Sequence, residues 1–399
     1  MTIEHFLSHY ARQRKGTDSL KWDLVDQRFQ GEKLLPLWVA DMDFAAPKAV
    51  EEALQQLVAE GTFGYAIPPS GYFLAYQGWQ DRHWGTKFEE KWLSFSTGVV
   101  QSLVDLLHCF TEPDDGILIQ PPVYYPFFDS IKETKRRLIE TPLQKVRNSY
   151  RIDFAAFEAK IIEEKVKLFI LCSPHNPLER VWQEKELHQL LAICQKHEVV
   201  VIADEIHCEL ILGEQQFVSA VTVAQGFGFE KLIVLDSPSK TFNLAGLLLS
   251  HVWIPDLEMR RAYEEWCRQY KQTEVNRLGL VAAKAAYESG DQWLDDLLLV
   301  IAANEQMVRQ QLQEAFPKIE LLPLEGTYLL WVDLRQVIAK ERTKHVIQDT
   351  AGLAVDYGEW FAKDGQGLIR LNLATTPTII QQALDRMIEA IKKEERHDD

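Results

Sequence analysis

The sequence predicts an α/β fold with a large, doubly wound and mainly parallel sheet and a second, smaller α+β domain. Short apolar runs bounded by turn residues alternate with longer amphipathic segments from about residue 90 to residue 290. This alternation is typical of strands and helices arranged around a parallel sheet. Nearly every polar motif follows the end of an apolar run, and ligands of open α/β sheets bind beyond the carboxyl ends of the strands. The same pattern therefore predicts where a site lies.

The individual elements follow from the apolar runs in chain order. A long helical stretch is predicted from about Asp256 to Ala315, then isolated strands at Thr327 to Leu334 and Leu368 to Leu373, and a terminal helix from about Thr378 to Lys393. The predicted strands of the large sheet are Trp92 to Phe95, Gly116 to Gln120, Val166 to Cys172, Val199 to Ala203, Leu232 to Leu235 and Leu247 to Ile254.

The change of pattern after the long helical stretch predicts the domain organisation. We expect residues 48–288 to form the large domain, and residues 1–47 together with residues 289–399 to form the small domain and the N-terminal segment. The sequence contains no internal repeat, low-complexity tract or obvious linker, so we expect the two parts to pack closely.

Composition excludes disorder and disfavours several classes of partner. The 399 residues are 46% apolar, which is enough for a large core. A formal net charge of −16 disfavours nucleic acid and anionic membranes, since both select for clustered lysine and arginine. We see neither a signal peptide nor an apolar run near the roughly 18 residues of a membrane span.

The cysteine pattern predicts a reducing compartment. The cysteines are odd in number, scattered, mostly within apolar contexts, and without the spacing of a zinc site or a disulfide framework. We therefore expect a cytoplasmic protein without a metal site. The cysteines are Cys109, Cys172, Cys194, Cys208 and Cys267.

One lysine stands among small hydroxyl residues at the end of an apolar run. Lys240 lies in the segment Ser237 to Gly246, directly after the predicted strand Leu232 to Leu235. Burial at a strand end lowers the pKa of an ammonium group and frees the neutral amine for Schiff-base chemistry with an aldehyde. Asp204 ends another apolar run, where its carboxylate is placed to keep a pyridine nitrogen protonated. This pair is what a pyridoxal 5'-phosphate (PLP) site requires, so the sequence predicts a PLP enzyme.

A glycine turn offers a place for the phosphate of such a cofactor. Gly98 follows a predicted strand, and Val99 and Val100 open an amphipathic helix whose N–H groups and dipole favour an anion. The spacing is neither that of a dinucleotide site nor that of a P-loop, which favours a single phosphate. Ser237 and Ser239 carry additional hydroxyl groups. An ordinary strand-to-helix turn at Gly98, and turn capping by the two serines, are the alternatives.

Three further polar residues follow strand ends. Tyr124 stands on a proline-rich loop from which its ring can stack on a flat cofactor, and the alternative is that it covers the edge of the core. Asn176 can donate a hydrogen bond to a ring hydroxyl, although Asn-Pro also starts turns. His207, three residues after Asp204, can approach the same ring oxygen or be a structural histidine.

An arginine and an aromatic loop complete the candidates. Arg370 lies on an otherwise apolar strand, so its guanidinium must meet a carboxylate, either of the protein or of a substrate. An amino-acid substrate favours the second choice. The loop around Tyr65, from Gly64 to Tyr72, is too hydrophobic to be free in solvent. It is predicted as a lid or as a contact to a neighbouring subunit, with a plain surface loop as the alternative.

These residues resemble those of fold type I PLP enzymes of the class I/II aminotransferase superfamily, in particular the MalY/PatB type of cystathionine β-lyase, or C-S lyase. The resemblance spans roughly Gly16 to Lys392. Its most specific blocks are Trp38 to Phe44 and Ser239 to Asn243. The other blocks are Lys21 to Asp23, Gly64-Tyr65, Gly98 to Val100, Pro122 to Tyr124, Ser173 to Pro177, Asp204 to His207 and Ile369 to Ala374.

The resemblance implies the aspartate aminotransferase-like fold and a role for each site residue. Lys240 would be the Schiff-base lysine, Asp204 the partner of the pyridine nitrogen, and Tyr124 a catalytic residue that stacks on the cofactor. Arg370 would hold the substrate α-carboxylate. Asn176 and His207 would lie near the ring oxygen. The residues around the phosphate would be Gly98, Val99, Val100, Ser237 and Ser239, together with Tyr65 of the other subunit of a homodimer. The substrate pocket would include Trp38 and Tyr65.

Two positions depart from the pattern of the superfamily. Many aminotransferases carry a phosphate-binding arginine eight positions after the lysine, where this chain has Leu248. More of the phosphate charge must then rest on backbone donors. The family commonly has Asn-Pro-x-Gly-Arg, whereas Glu179 replaces the glycine here. A left-handed backbone at this position would strain Glu179 by about 1 kcal/mol or more.

The resemblance implies a carbon-sulfur β-lyase, also called cysteine-S-conjugate β-lyase. It would cleave L-cystathionine, and cysteine- or cystine-type substrates, to a thiol, pyruvate and ammonia by α,β-elimination. The alternatives are a PLP-dependent aminotransferase and a regulatory protein that uses the same fold for protein binding.

Overall fold

The computed structural model of the protein describes residues 2–398, and the side chains of residues 2–394. Its strands are short, and most of those in the large sheet follow the apolar runs of the sequence. In chain order they are β1 Leu35–Pro36, β2 Leu93–Ser96, β3 Gly116–Ile119, β4 Arg137–Glu140, β5 Gln144–Val146, β6 Ser149–Arg151, β7 Val166–Cys172, β8 Val200–Asp204, β9 Leu232–Asp236, β10 Ser250–Trp253, β11 Glu320–Leu321, β12 Leu329–Asp333, β13 Leu353–Ala354, β14 Asp356–Tyr357 and β15 Leu368–Asn372.

The helices lie between the strands and at the two ends of the chain. Within residues 2–398, none of them is both long and apolar enough to cross a membrane. They are α1 Ile3–Tyr10, α2 Leu20–Asp23, α3 Val25–Phe29, α4 Lys48–Ala59, α5 Tyr72–His83, α6 Val99–Phe110, α7 Pro126–Glu133, α8 Phe154–Glu164, α9 Glu184–Lys196, α10 Ala220–Phe227, α11 Pro238–Thr241, α12 Leu257–Gln269, α13 Arg277–Ser289, α14 Asp291–Ala315 and α15 Pro377–Asp398.

The large sheet has seven strands in the order β2-β10-β9-β8-β7-β3-β4. Strands β9, β8, β7, β3 and β4 pair in parallel, whereas β10 is antiparallel to both of its neighbours. The prediction of a mainly parallel sheet in an α/β fold is confirmed. Because parallel strands end at the same edge, Cys172, Asp204 and Asp236 all lie there.

Alternate side chains of the central strands enter two different cores. On β8, Val201 and Ala203 belong to one apolar cluster and Ile202 to the other. Successive side chains of a strand point to opposite faces, so this sheet is buried on both sides. In β8 and β9 both sides of the strand are therefore apolar, and the polar residues Asp204 and Asp236 stand at the strand ends.

The smaller sheet is antiparallel, in the order β11-β12-β15-β14. It contains both predicted C-terminal strands, and in it Arg370 stands opposite Trp331 of β12 and Asp356 of β14. A separate two-stranded pairing joins β1 to β13, which links the N-terminal segment to the C-terminal third of the chain. The domain boundaries at residues 47/48 and 288/289 stay a prediction.

The predicted and observed elements differ in extent at several places. The predicted helical stretch from Asp256 to Ala315 consists of the three helices α12, α13 and α14, and the Asn276 side chain caps α13 by accepting N–H groups of Leu278 and Gly279. The predicted strand Leu247 to Ile254 begins only at Ser250. Upstream of it, residues 245–247 form a 3-10 turn, and Leu248 has a left-handed backbone with φ of 48°.

The segment Trp38 to Phe44 is held between the two sheets by two asparagines. Asn243, just beyond the large sheet, accepts the Met42 N–H at 3.0 Å and donates to the carbonyl groups of Met42 and Phe44. Asn372 of β15 donates to the carbonyl groups of Val39 and Asp41. The backbone between them is therefore fixed from both sides.

A buried ion pair anchors the same segment to the N-terminal helices. The Lys21 Nζ lies 2.8 Å from Asp43 Oδ2, and both side chains are almost fully buried. The Trp22 indole N–H donates to the other carboxylate oxygen at 2.7 Å. Removing one member of a buried pair leaves an uncompensated charge, which is more costly than the pair itself is stabilising.

We expect Lys21→Met to destabilise the folded protein by about 3 kcal/mol, because Asp43 would remain buried without its nearest cation and would keep only the Arg14 guanidinium, 3.9 Å away. Urea unfolding followed by tryptophan fluorescence measures the loss. Lys15→Met, which removes an exposed lysine, is the matched control and should change stability by less than about 0.5 kcal/mol. An equal, small effect of both substitutions would contradict the structural role of the pair.

Candidate active site

A cavity of about 380 Å³ opens at the carboxyl edge of the large sheet. Its walls come from the loops after β2, β3, β7, β8 and β9, as expected for a ligand site of an open α/β sheet. It brings together most of the residues predicted from the sequence. The lining residues are Ala40, Thr97, Gly98, Val99, Val100, Gln101, Tyr124, Cys172, Asn176, Asp204, Ile206, His207, Ser239, Lys240, Ala245 and Leu248.

Lys240 reaches this cavity on a short, rigid turn. Ser237 caps α11 through its side chain, and Pro238 occupies the first helical position, where its fixed φ suits a helix start. The adjacent Thr241 hydroxyl donates to Glu209 at 2.9 Å. The backbone around Lys240 is therefore held by buried polar contacts on both sides of the residue.

The Lys240 amine faces both the cavity and the fixed N-terminal segment. Its Nζ donates to the Ala40 carbonyl at 2.7 Å, and the Tyr328 hydroxyl donates to the same oxygen at 2.9 Å. Burial lowers the pKa of Lys240 to about 8, and Asp41 and Asp204 oppose this shift. Near neutral pH a small but useful fraction of the amine is uncharged, as an attacking nucleophile requires.

Asp204 is a buried carboxylate at the end of β8. Its Oδ1 accepts the Ile206 N–H at 3.1 Å, and among residues 2–394 no basic side chain forms an ion pair with it. Burial raises the pKa of Asp204 to about 7, although the Ile206 N–H and Lys240 act in the opposite direction. A cationic ring nitrogen brought to this carboxylate would stabilise its ionised form.

Asn176, His207 and Tyr124 lie around the same space. The His207 side chain is buried with no hydrogen-bond partner for Nδ1, and burial, with Lys240 and Arg370 nearby, lowers its pKa well below the usual value. A neutral imidazole here can accept or donate a hydrogen bond. Burial raises the pKa of Tyr124, so its hydroxyl stays protonated.

The start of α6 forms the side of the cavity suited to a phosphate. Gly98 caps this 12-residue helix, and its first turn contains no acidic residue. A Cβ built at Gly98 would meet no heavy atom within 4 Å, so the space in front of its backbone is open. The free N–H groups and the helix dipole favour an anion at this end.

The two predicted phosphate serines are placed differently. Ser239 lines the cavity, whereas Ser237 does not. The Ser237 hydroxyl donates to the Leu249 carbonyl at 2.6 Å and lies 2.8 Å from the Ser239 hydroxyl. Ser237 thus supports Ser239 from behind, and its own contact with a phosphate stays a prediction.

Arg370 is buried beside the cavity and joins several elements. Its Nη1 donates to Asn176 Oδ1 at 2.7 Å, and its Nη2 lies 3.4 Å from the Trp38 carbonyl. It also forms an ion pair with Asp356. The sequence left a protein carboxylate or a substrate carboxylate open as partners, and within the chain the partner is Asp356.

Tyr65 and Trp38 do not reach the cavity within one chain. Tyr65 is 97% exposed and lines a separate hollow with Phe63 and residues 274–278. Trp38 is buried, donates from its indole to the Lys21 carbonyl at 3.2 Å, and packs against Phe29. Its backbone carbonyl, rather than its ring, approaches Arg370.

The two departures from the superfamily pattern are both visible. Leu248 lines the cavity and is 55% exposed, so an apolar side chain stands where many relatives of the superfamily are expected to carry a cation. Glu179 has a left-handed backbone with φ of 63° and is completely buried. Its carboxylate accepts the Trp331 N–H of the small sheet, which offsets part of the strain.

Several residues of the site escaped the sequence analysis. Ala40 lies within the Trp38 to Phe44 block but contributes only its carbonyl group, and Tyr328 acts through its hydroxyl outside the quoted blocks, so the sequence indicates neither contact. Cys172 lines the cavity, although it resembled an ordinary core thiol. Asp356 did carry a signal, because it is a lone carboxylate directly after the apolar run Leu353 to Val355.

Residues 32–387 match the model of the family described as aminotransferase class I and II. The chain belongs to this family. It is 34% identical over 380 residues to the cystathionine beta-lyase PatB of Bacillus subtilis, covering 95% of this chain and 98% of that protein. It is 30% identical over 382 residues to protein MalY of Escherichia coli, covering 95% and 97%.

A solved structure gives the same picture. The crystal structure of cystalysin from Treponema denticola, which contains a PLP cofactor, superimposes with a TM-score of 0.91 at 32% identity. The alignment covers 96% of this chain and 97% of that chain. The predicted resemblance to the MalY/PatB type and the predicted fold type are confirmed.

The polar groups of the cavity fit PLP. Asp204 has no cation partner among the described residues, and His207 Nδ1 has no hydrogen-bond partner. Gly98, Val99 and Val100 at the start of α6 line the cavity, and the Lys240 amine has a lowered pKa. A pyridinium ring, a ring oxygen, a phosphate and an aldehyde would satisfy these four features in turn.

We expect the cofactor-free protein to react with an amine-specific reagent at Lys240 with a half-maximum near pH 8, because burial lowers the pKa of this amine to about 8. An unperturbed lysine titrates near about 10.4. Mass spectrometry of the labelled peptide across pH 6–11 measures the profile, and Lys240→Arg identifies the peptide. A half-maximum above about pH 10 would contradict the lowered pKa.

Proposed function

We propose that this protein is a PLP-dependent carbon-sulfur β-lyase that cleaves L-cystathionine, and cysteine- or cystine-type substrates, to a thiol, pyruvate and ammonia. The observation that carries the proposal is the meeting of the Lys240 amine and the Asp204 carboxylate in one cavity. It is supported by 34% identity, over nearly the whole chain, to a protein named cystathionine beta-lyase.

PLP, when bound, supplies an electron sink for the negative charge that forms at the substrate Cα. Asp204 would hold the ring nitrogen in its protonated form, which is favourable because this buried carboxylate has no other cation partner among the described residues. The N–H groups at the start of α6 and the Ser239 hydroxyl would bind the phosphate. With Leu248 in place of a cation, the backbone donors carry more of this binding.

Lys240 moves the proton of the reaction. Its Nζ is placed by the Ala40 carbonyl, and as a neutral amine it removes the proton from the substrate Cα. Elimination competes with proton return at another carbon, which would give transamination. The fixed position of the amine, held by the polar contacts of the turn, limits that second path.

Arg370 orients the substrate through its α-carboxylate. A guanidinium presents N–H groups in a rigid fork that matches a carboxylate. Its contact with Asn176 connects the carboxylate site to the cofactor cavity. Holding the substrate at this end would restrict rotation about its Cα–Cβ bond and so favour one conformation for elimination.

The decisive assay measures pyruvate and free thiol from L-cystathionine in the absence of any keto acid. We expect both products in equal amounts, and we expect Lys240→Ala to reduce the rate by more than about a hundredfold. Lys231→Ala removes an exposed lysine directly before β9, the strand that leads to Lys240, and this variant should retain full activity.

Two outcomes would contradict the proposal. Turnover that requires a keto acid, with no pyruvate from cystathionine or cysteine, would identify an aminotransferase instead. No turnover of either kind, together with capture of a protein partner by Lys240→Ala, would favour a regulatory role. A comparison of cystathionine, cystine and cysteine then ranks the substrates.

We further propose a homodimer in the cytoplasm, with Tyr65 of one subunit near the phosphate of the other. The loop around Tyr65 exposes Phe63 at 67% and Ile67 at 84%, and the rim of the Lys240 cavity exposes Val100 and Leu248. Exposed apolar groups of this size favour association with another protein surface. The free cysteines agree with a reducing compartment.

We expect light scattering of the purified protein to give the mass of two chains, and Phe63→Asp with Ile67→Asp to shift it to the mass of one, because both changes bury a charge in the proposed interface. Ile162→Asp changes an exposed isoleucine on α8 and is the matched control. A single-chain mass for the unmodified protein would refute the dimer.

A further inference from the structure

Asp356 forms an ion pair with Arg370, the arginine that would bind the substrate α-carboxylate in the proposed reaction. Asp356 stands opposite Arg370 in the register of β14 and β15, and the two side chains form an ion pair with exposures of 1% and 3%. Among the described residues, Asp356 Oδ1 and Arg370 Nε have no hydrogen-bond partner. The remaining Arg370 contacts go to Asn176 and to the Trp38 carbonyl.

Arg370 is therefore not a free guanidinium in the absence of ligand, because it already has a carboxylate partner. A guanidinium that binds a carboxylate normally offers it two parallel N–H groups. Here the terminal nitrogen Nη2 of Arg370 already donates to the buried carboxylate of Asp356. A ligand carboxylate on the same guanidinium would bring two negative groups together away from water, and two such groups do not both remain ionised.

We propose that Asp356 is a resident competitor for Arg370, so that a ligand carboxylate binds there together with uptake of one proton by Asp356. This inference rests on the proposed function, in which Arg370 receives the substrate α-carboxylate. The proton comes from solvent and ends on a carboxylate oxygen of Asp356. Asp356 then no longer opposes the ligand and remains as a neutral hydrogen-bonding group.

The charges around Asp356 agree with this coupling. Burial raises the pKa of Asp356 to about 6, and Arg370 and Arg28 act to lower it. Tyr124 and Tyr125 also face this group, and burial raises the pKa of each, so both stay neutral. The free carboxyl is therefore ionised at pH 7, and an added negative ligand raises its pKa further.

The sign of the pH dependence follows from the difference between the pKa of Asp356 in the free protein and its higher pKa in the complex. Below about pH 6 Asp356 is already neutral, so the ligand meets no competitor and its affinity is greatest. As the pH rises above about 6, each bound ligand must bring a proton, and the affinity falls by up to about tenfold per pH unit. The loss continues until the pH exceeds the pKa of Asp356 in the complex.

The test uses 3-(methylthio)propanoate, which has a carboxylate and a thioether but no amino group, so that binding is measured without turnover. Isothermal titration calorimetry of the cofactor-loaded protein at pH 7.5, in buffers of different ionisation enthalpy, counts the protons taken up. We expect about one proton per ligand and a Kd that rises with pH between about 6 and 8. No proton uptake and a constant Kd would overturn the proposal.

Variants identify the group that takes up the proton. Asp356→Asn keeps the size of the side chain, and we expect no proton uptake, a Kd independent of pH, and binding about tenfold tighter at pH 7. Asp333→Asn is the matched control, because Asp333 is a buried carboxylate of β12 paired with Lys145 and Arg335. It should keep the uptake. Uptake that persists in Asp356→Asn would assign the proton elsewhere and refute the proposal.

The measurement also separates this inference from the proposed reaction. Proton-linked binding that depends on Asp356, in a protein that releases no pyruvate from any sulfur amino acid, would support the coupling and reject the lyase function. Elimination activity with proton-independent binding would do the reverse. In turnover, the same coupling appears as a KM that rises with pH in the unmodified protein and is independent of pH in Asp356→Asn.

Discussion

The position of the Trp38 to Phe44 segment between the two sheets is the constraint on which the site depends. Asn243 binds it from the large sheet and Asn372 from the small sheet, while Lys21 neutralises Asp43 within it. As a result the Ala40 carbonyl has a fixed place, and the Lys240 amine is held against it. One short stretch of backbone thus connects Lys240 with the strand that carries Arg370.

Burial of charge gives this arrangement its chemistry. Burial at the strand ends lowers the pKa of Lys240 to about 8 and raises that of Asp204 to about 7. The pKa values of both groups therefore lie close to neutral pH, so each group can gain or lose a proton there. At the other end of the site, Arg370 and Asp356 balance each other. The site therefore contains several buried ionisable groups, and binding of the proposed cofactor or substrate would change the protonation or the pairing of each.

Much of the fold and of the cavity was predictable from local patterns. Apolar runs predict strands, and the polar residue after each run, such as Asp204 or Lys240, must lie at the common edge of a parallel sheet. Contacts that depend on distant segments were not predictable. The Ala40 carbonyl has no residue-specific signal, and the pairing of Asp356 with Arg370 requires the register of two strands. Tyr65 is exposed in the single chain, and its place at the site would depend on the second subunit of the proposed homodimer.

The central claim is that the Lys240 amine binds the PLP aldehyde while Asp204 faces its ring. Incubation with PLP, reduction with borohydride and peptide mass spectrometry test it most directly. The account predicts one pyridoxyl group per chain, attached at Lys240, together with a yellow absorbance band before reduction that Asp204→Ala weakens or shifts. A protein that stays colourless with PLP and gives no modified Lys240 peptide would contradict the account.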